Sequence, residues 1–338
     1  MKLWQGYPHI LSADQFDLEV LQTIFALARE MRNVVIERKN VDWLENEGRA
    51  VIFFYEPSTR TRGRFTFAIH YLGGIVVFET ENATEYSSVA KGESTEDSIR
   101  TLNCYYPDVL VVRHIKEGEL QKASAISRAP IINAGDGGNE HPTQAILDGC
   151  TVLAEVPNPF NKIWVFGGDL ERSRTTRSLI KQSCAFQPQE IILVGDELVQ
   201  ITPDIEAFLQ EQKVKYTKVP SKELERVLPE GDIFYWCRVQ TERYKKDPEK
   251  LAAATENKVA VTMTQRRIEM MHANARFLHP YPRIDEFVMP VAAIDKEPRV
   301  ATHEEMEWGL FSSMAELLMI LNAEKAEELL LQSDYSYK

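Results

Sequence analysis

The stretch FYEPSTRTRGRF, residues 54–65, sets Arg60, Arg62 and Arg64 directly behind Ser58 and Thr59. The hydroxyls of Ser58, Thr59 and Thr61 are neutral donors, and a guanidinium is a bidentate fork matched to phosphate oxygens. Pro57 and Ser58 read as the end of a strand and the start of a helix, where the positive end of the helix dipole disfavours cations unless an anion sits among them. The residues therefore suit the capture of a phosphate. An ordinary Ser/Thr cap with surface arginines would use the same letters.

Further along, VLVVRH delivers Arg113 and His114 at the end of an apolar run, and GDGGNEHPTQ delivers His141 and Gln144 just past another. A histidine at a glycine-rich strand-to-helix junction has a donor suited to polarising a carbonyl, or else is a hydrogen-bonded structural residue. The polar stretch 79–94, ETENATEYSSVAKGES, is long for a connection and has one cation, Lys91, which reads as a mobile anion contact or as a solvated loop lysine. In the second half, Arg174 stands early in a helix, and Arg238, Gln240 and Arg243 follow another apolar run. These are groups for gripping carboxylates. Gly167 and Gly168 are adjacent, so the G-x-G-x-x-G spacing of a dinucleotide loop is missing and a nicotinamide cofactor is disfavoured.

The elements that must position these groups follow from periodicity. Short apolar runs at 50–55, 75–78, 109–112 and 131–133 alternate with amphipathic stretches such as 64–72 and 95–105, the rhythm of a parallel sheet with helical crossovers. Runs at 163–166, 191–194, 233–236, 259–262 and 277–279 repeat it. The fold class expected is α/β, two domains, each a parallel β-sheet flanked by helices, linked by bridging helices. HPTQAILDGCTVLAEV, with proline at a first helical position, is read as one bridge, and a long apolar helix over about 305–331, ending in the frayed tail QSDYSYK, as the last element.

At 338 residues two domains are the default, and the formal net charge of -12 argues against nucleic acid or an anionic membrane as a partner. Cys104, Cys150, Cys184 and Cys237 lie apart with no C-x-x-C pair, so neither zinc nor a disulfide framework is indicated, and each is read as a small buried hydrophobe. The amino-terminal sequence lacks the order of a signal peptide, from which a cytoplasmic location is expected.

Taken together, STRTR from Ser58, KGES from Lys91, VVRH ending at His114, GDGGNEHPTQAILD, GDLERSRTTRSL, RVQTER and HPYPRIDE resemble the aspartate and ornithine carbamoyltransferases, in that family's order over nearly the whole chain. The resemblance implies transfer of a carbamoyl group from carbamoyl phosphate to the α-amine of L-aspartate in pyrimidine biosynthesis, with no metal or organic cofactor. It implies a carbamoyl-phosphate domain of residues 1–141 plus 304–338 and an aspartate domain of residues 142–303. Ser58, Thr59, Arg60 and Thr61 would hold the phosphate, Arg113 and His141 the carbamoyl oxygen, and Gln144 the carbamoyl nitrogen. Tyr281, through its backbone carbonyl, and Pro282 would also meet the carbamoyl group.

The same resemblance implies that Ser87 and Lys91 enter a neighbouring subunit's site, making a homotrimer the smallest competent unit. Lys91, Arg174, Arg238, Gln240 and Tyr281 would bind aspartate, while Glu56 and Arg243 orient the second-domain arginines. Arg60, Thr61, Lys91, Arg113 and His141 are the residues it makes catalytic. A separate regulatory chain and other pyrimidine-pathway enzymes are candidate partners.

Ornithine enzymes carry an HCLP segment and acidic partners where this chain has HPYP and arginines, which favours an anionic acceptor. Oxamate or another small anion stays open, as does an inactive paralogue serving as scaffold or regulatory partner. Two departures bear on this. Tyr281 stands where leucine or methionine is common, and WGLFSS, with Trp308, Ser312 and Ser313, replaces an Asn-Gly pair followed by an arginine.

Overall fold

A computed structural model describes residues 9–333. The expected tail beyond Ser333 therefore lies outside the described residues. The chain divides into two units, residues 1–150 with 307–338 and residues 151–306. Helices Pro142–Glu155 and Thr302–Leu321 each run across a division point, so the chain passes between units inside helices.

The first unit is built on strands β1 (Arg49–Phe54), β2 (Ile75–Thr80), β3 (Val109–His114) and β4 (Ile131–Asp136), all parallel, in the order β2-β1-β3-β4. β1, β3 and β4 are buried almost throughout because helices cover both faces, which is why they read as continuous apolar runs. On one face Val51, Phe53, Leu110 and Val112 pack against Ile99, Leu102 and Leu120. β2 is the edge strand and leaves Ile75, Val77 and Phe78 exposed. Because β2 and β3 leave β1 in opposite directions, the order reverses between β1 and β3, and there the carboxyl ends of the strands open a crevice.

The second unit repeats the plan with β5 (Ile163–Gly167), β6 (Glu190–Val194), β7 (Tyr216–Val219), β8 (Ile233–Trp236), the short β9 (Met263–Thr264), β10 (Arg276–Leu278) and β11 (Phe287–Val288). The main sheet is parallel in the order β10-β8-β5-β6-β7, and β9 pairs with β11. Its reversal lies between β5 and β8. Phe234, Trp236 and Phe277 form one aromatic face, with ring centroids 5.5–6.4 Å apart, and Trp164 stacks on Phe166 on the other.

Three sequence expectations are corrected. Residues 259–262 are not a strand: Asp247 caps, and Pro248 opens, a helix that reaches Ala260, and Val259 faces solvent. The strand that exists instead, β7, was invisible because at the sheet edge it needs only Val219 buried. The last helix is two, Thr302–Leu321 and Ala323–Gln332, divided where the Asn322 side chain accepts from Lys325 N and caps the second. Cys104 is exposed rather than buried.

Candidate active site

The helix Thr59–Tyr71 starts where β1 ends, at the reversal of the first sheet. Ser58 holds the N-cap position in extended geometry (φ -156°, ψ 98°), yet its side chain makes no capping bond, and the first turn has no acidic residue. The serines and aspartates that open several other helices, Asp17, Ser94, Ser173 and Asp247, do cap them. An N-terminus left uncapped at a strand-order reversal is an anion-binding arrangement of backbone N–H groups and dipole. Ser58, Thr59, Arg60 and Thr61 are thereby brought together.

Only part of the arginine cluster serves that end. Arg62 lies 3.2 Å from both Glu79 and Glu81 on the neighbouring strand and its exit. Arg64 turns inward, donates from Nη2 to Thr143 Oγ1 at 2.6 Å, and lies within the field of Glu316 and Asp148. Burial lowers its pKa to about 10 despite those acids. Arg62 and Arg64 thus have acidic neighbours of their own, and Arg60 is the member of the cluster that the family resemblance assigns to the phosphate.

Arg113 is paired in register with Phe54, which puts it beside the same helix start. Its Nε donates to Glu56 Oε1 at 2.8 Å and its Nη1 to Ala134 O at 3.3 Å. Glu56 therefore orients an arginine of its own unit. His114, one residue on, is structural: Nδ1 accepts from Lys116 N and Nε2 lies 3.1 Å from Thr95 Oγ1, with burial lowering its pKa.

His141 and Gln144 come from the start of helix Pro142–Glu155, both buried. Thr61 Oγ1 is 3.4 Å from His141 Nε2, which joins the two helix starts. Thr143 Oγ1 lies 3.3 Å from His141 Nδ1. Thr143 Oγ1 also accepts from Arg64, so one hydroxyl ties the imidazole to the inward-turned arginine. Gln144 Nε2 donates to Asp148 Oδ1 at 2.9 Å.

Ser87 and Lys91 lie in two short turns after β2, residues Ala83–Tyr86 and Ser88–Lys91, so the 79–94 segment is ordered more than its composition suggested. Ser87 Oγ donates to Ala83 O at 2.6 Å and accepts from Val89 N, while Lys91 is exposed and followed by Gly92 at φ 99°.

In the second unit the organising residue is one that sequence reasoning passed over. Asp169, 1% exposed, follows Gly168 at the end of β5. Its Oδ1 accepts from Arg172 N and Tyr244 OH, each at 2.8 Å, and its Oδ2 accepts from Gln240 N at 2.9 Å. One carboxylate thus fastens the loop after β5, which leads to Arg174, to the loop after β8, which carries Arg238, Gln240 and Arg243. Gly168 is required between them: its φ is 87°, and a Cβ there would lie 1.9 Å from Cys237 O. The signal available was Gly-Gly-Asp directly after an apolar run.

Arg238 and Arg243 are both engaged. Arg238 meets Glu242 through two hydrogen bonds, one at 3.0 Å from Nη1 and a shorter one from Nη2, and Arg243 Nη1 donates to Arg172 O at 3.1 Å. Gln240 Nε2 reaches Arg172 O at 3.5 Å, and Arg174 opens helix Arg174–Ser183. Tyr281 has φ 54° and precedes Pro282 through a cis peptide. Its N–H donates to His279 Nδ1 at 3.0 Å, and Arg283 stacks over its ring at 4.7 Å. Left-handed backbone at a tyrosine is strained, and such strain gathers at ligand clamps.

Of the departures in the last long helix, Trp308 and Ser312 find partners, while Ser313 Oγ is buried without a hydrogen bond. Trp308 packs on Phe25 and Phe311, with ring centroids 5.1 and 5.8 Å away. Gly309 faces Leu147 and Arg64, and Ser312 Oγ bonds Gly309 O.

Comparison with known proteins agrees with this geometry. Residues 8–154 match the family model described as "Aspartate/ornithine carbamoyltransferase, carbamoyl-P binding domain". An Arabidopsis thaliana protein named aspartate carbamoyltransferase, chloroplastic, is 38% identical over 92% of this chain and 77% of its own length. A Finegoldia magna aspartate carbamoyltransferase catalytic subunit is 33% identical over 93% and 97%. Among solved structures, aspartate transcarbamoylase from Trypanosoma cruzi in complex with carbamoyl phosphate and aspartate superposes with a TM-score of 0.82 at 30% identity, covering 92% of this chain and 95% of that one. Its complex with N-(phosphonacetyl)-L-aspartic acid gives 0.81 at 30% identity, covering 92% and 94%. Identity of this level over most of both chains, with the same fold, leads to one conclusion: the chain belongs to the aspartate/ornithine carbamoyltransferase family.

Proposed function

We propose that this chain transfers the carbamoyl group of carbamoyl phosphate to the α-amine of L-aspartate, giving N-carbamoyl-L-aspartate and phosphate for pyrimidine biosynthesis. The observation that carries the reading is the uncapped start of helix Thr59–Tyr71, set beside Arg113 at the reversal of the first sheet. Ser58, Thr59, Arg60 and Thr61 hold the phosphate there. Arg113, His141 and Thr61 face the carbamoyl oxygen as it gains negative charge, while Gln144 and the backbone at Tyr281–Pro282 meet its amide. Arg174, Arg238 and Gln240 take the two carboxylates of aspartate and hold its amine against the carbonyl carbon. The C–N bond forms, the C–O bond to phosphate breaks, and the departing phosphate takes the amine's proton.

A homotrimer with shared sites belongs to the same proposal. Support comes from edge strand β2, whose Ile75, Val77 and Phe78 are exposed together with Phe67, Tyr71 and Tyr86. Exposed apolar surface on an unpaired edge is an interface in waiting, and the Ser87–Lys91 segment leaves that edge directly. Mixing Arg60→Ala with Lys91→Ala protein, each inactive alone, restores activity if sites are shared.

The direct test is formation of carbamoyl aspartate from the two substrates, joined to melting with phosphonoacetyl-aspartate. At a hundredfold excess over its dissociation constant that ligand adds about 2.7 kcal/mol. No product and no shift from trimeric protein would refute the reading.

A further inference from the structure

Gln144 and Asp148 are one turn apart on helix Pro142–Glu155, 8% and 0% exposed, with Gln144 Nε2 donating to Asp148 Oδ1 at 2.9 Å. The two ends of a carboxamide are nearly the same size, so only its hydrogen bonds decide which end faces a ligand. With one Nε2 hydrogen given to Asp148, the nitrogen end is held on the Asp148 side and the acceptor Oε1 is the end turned away from it.

We propose that Asp148 is a positioning residue that locks the Gln144 carboxamide with Oε1 toward the acyl donor, so that the site selects a donor carrying N–H, a carbamoyl rather than an acetyl group. This rests on the reading of Gln144 as the contact to the carbamoyl nitrogen. Acetyl phosphate has the shape of carbamoyl phosphate, with a methyl group in place of the amino group. A pocket without a fixed acceptor would discriminate poorly between them, whereas a buried acceptor left unpaired by the methyl group penalises the wrong donor.

The surroundings hold Asp148 in this role. Arg64 enters from helix Thr59–Tyr71 and Glu316 from helix Thr302–Leu321, and both acids lie within the field of that guanidinium. Neither oxygen of Glu316, itself 1% exposed, accepts a hydrogen bond, and burial lifts its pKa to about 8. Around neutral pH Glu316 is mostly protonated, so the charge of Arg64 is left for Asp148. One cation and one anion then balance beneath the site.

The test compares kcat/KM for carbamoyl phosphate with the inhibition constant of acetyl phosphate. Asp148→Leu should lower the former about tenfold or more while the latter moves less than about twofold. Asp148→Asn, sterically neutral and able to present either end of its amide, should lower the former about threefold, and it keeps the test usable if the leucine variant does not fold. In a Gln144→Met background either Asp148 substitution should add less than about a further twofold, because the residue acts through Gln144. Equal losses toward both ligands, or additive losses in the double variants, would overturn the proposal. Wild-type protein that forms no carbamoyl aspartate would sink the functional reading and this proposal together; wild-type turnover with unmoved selectivity in the variants would sink this one alone.

Discussion

Arg113 and Glu56 form an ion pair at 2.8 Å across the point where the first sheet reverses, with only 13% and 28% of their side chains exposed. The pair fixes the guanidinium plane through Nε, and Nη1 reaches Ala134 O. Glu56→Gln keeps the shape and removes the charge. It should lower kcat/KM for carbamoyl phosphate about tenfold through a looser Arg113. Steady-state kinetics at fixed aspartate would show it, and an unchanged value would mean that Arg113 is held without Glu56.

Asp169 is expected to matter to both stability and aspartate binding. Asp169→Ala leaves Arg172 N, Gln240 N and Tyr244 OH without their shared acceptor, in a site that is almost wholly buried. A loss of roughly 2–4 kcal/mol in the second unit follows, with KM for aspartate rising more than KM for carbamoyl phosphate. Tyr244→Phe removes one of the three bonds and should cost about 1 kcal/mol. Chemical denaturation together with the two KM values would separate these effects.

In the proposed reaction the bidentate grip of Glu242 on Arg238 competes with the carboxylates of aspartate. Arg238 raises no barrier of its own, but its acid must be displaced, and the pair sits where water screens it, Glu242 being 46% exposed. Glu242→Ala should therefore lower KM for aspartate by about two- to fivefold and leave KM for carbamoyl phosphate unchanged. A rise in KM for aspartate would show instead that Glu242 presents Arg238 to the ligand.

How far the sequence could lead is clearest from particular residues. β1, β3 and β4 were legible because strands covered on both faces must be apolar throughout, and the turn after each carries its polar groups in plain view. β7 was not, because an edge strand has little to bury, and residues 259–262 misled because a capped helix start outranks a β-branched run. The phosphate cluster was legible, with Arg60 as its arginine, but where Arg62 and Arg64 would turn was not. That depended on Glu79, Glu81, Asp148 and Glu316, which come from other elements and meet Arg62 and Arg64 only through folding. Asp169 escaped for a related reason: its three bonds reach across residues 172–244, and no local pattern records them.

Glu316 supplies a prediction in pH. Burial raises its pKa from 4.5 to about 8, although Arg64 nearby favours the charged form. Between those two values the unfolded chain has released a proton that the folded protein keeps, so raising the pH favours unfolding. The stability tied to this group is thus fully present below about pH 4.5 and is lost as the pH climbs through about 8. Glu316→Gln mimics the protonated acid and cannot titrate. Over pH 5 to 8 the unfolding free energy of the wild type should fall by roughly 2–4 kcal/mol more than that of the variant. Urea denaturation of both proteins at half-unit pH intervals would check this. Curves that stay parallel would return Glu316 to the ordinary carboxylate range and would require its charge to be matched by Arg64 throughout.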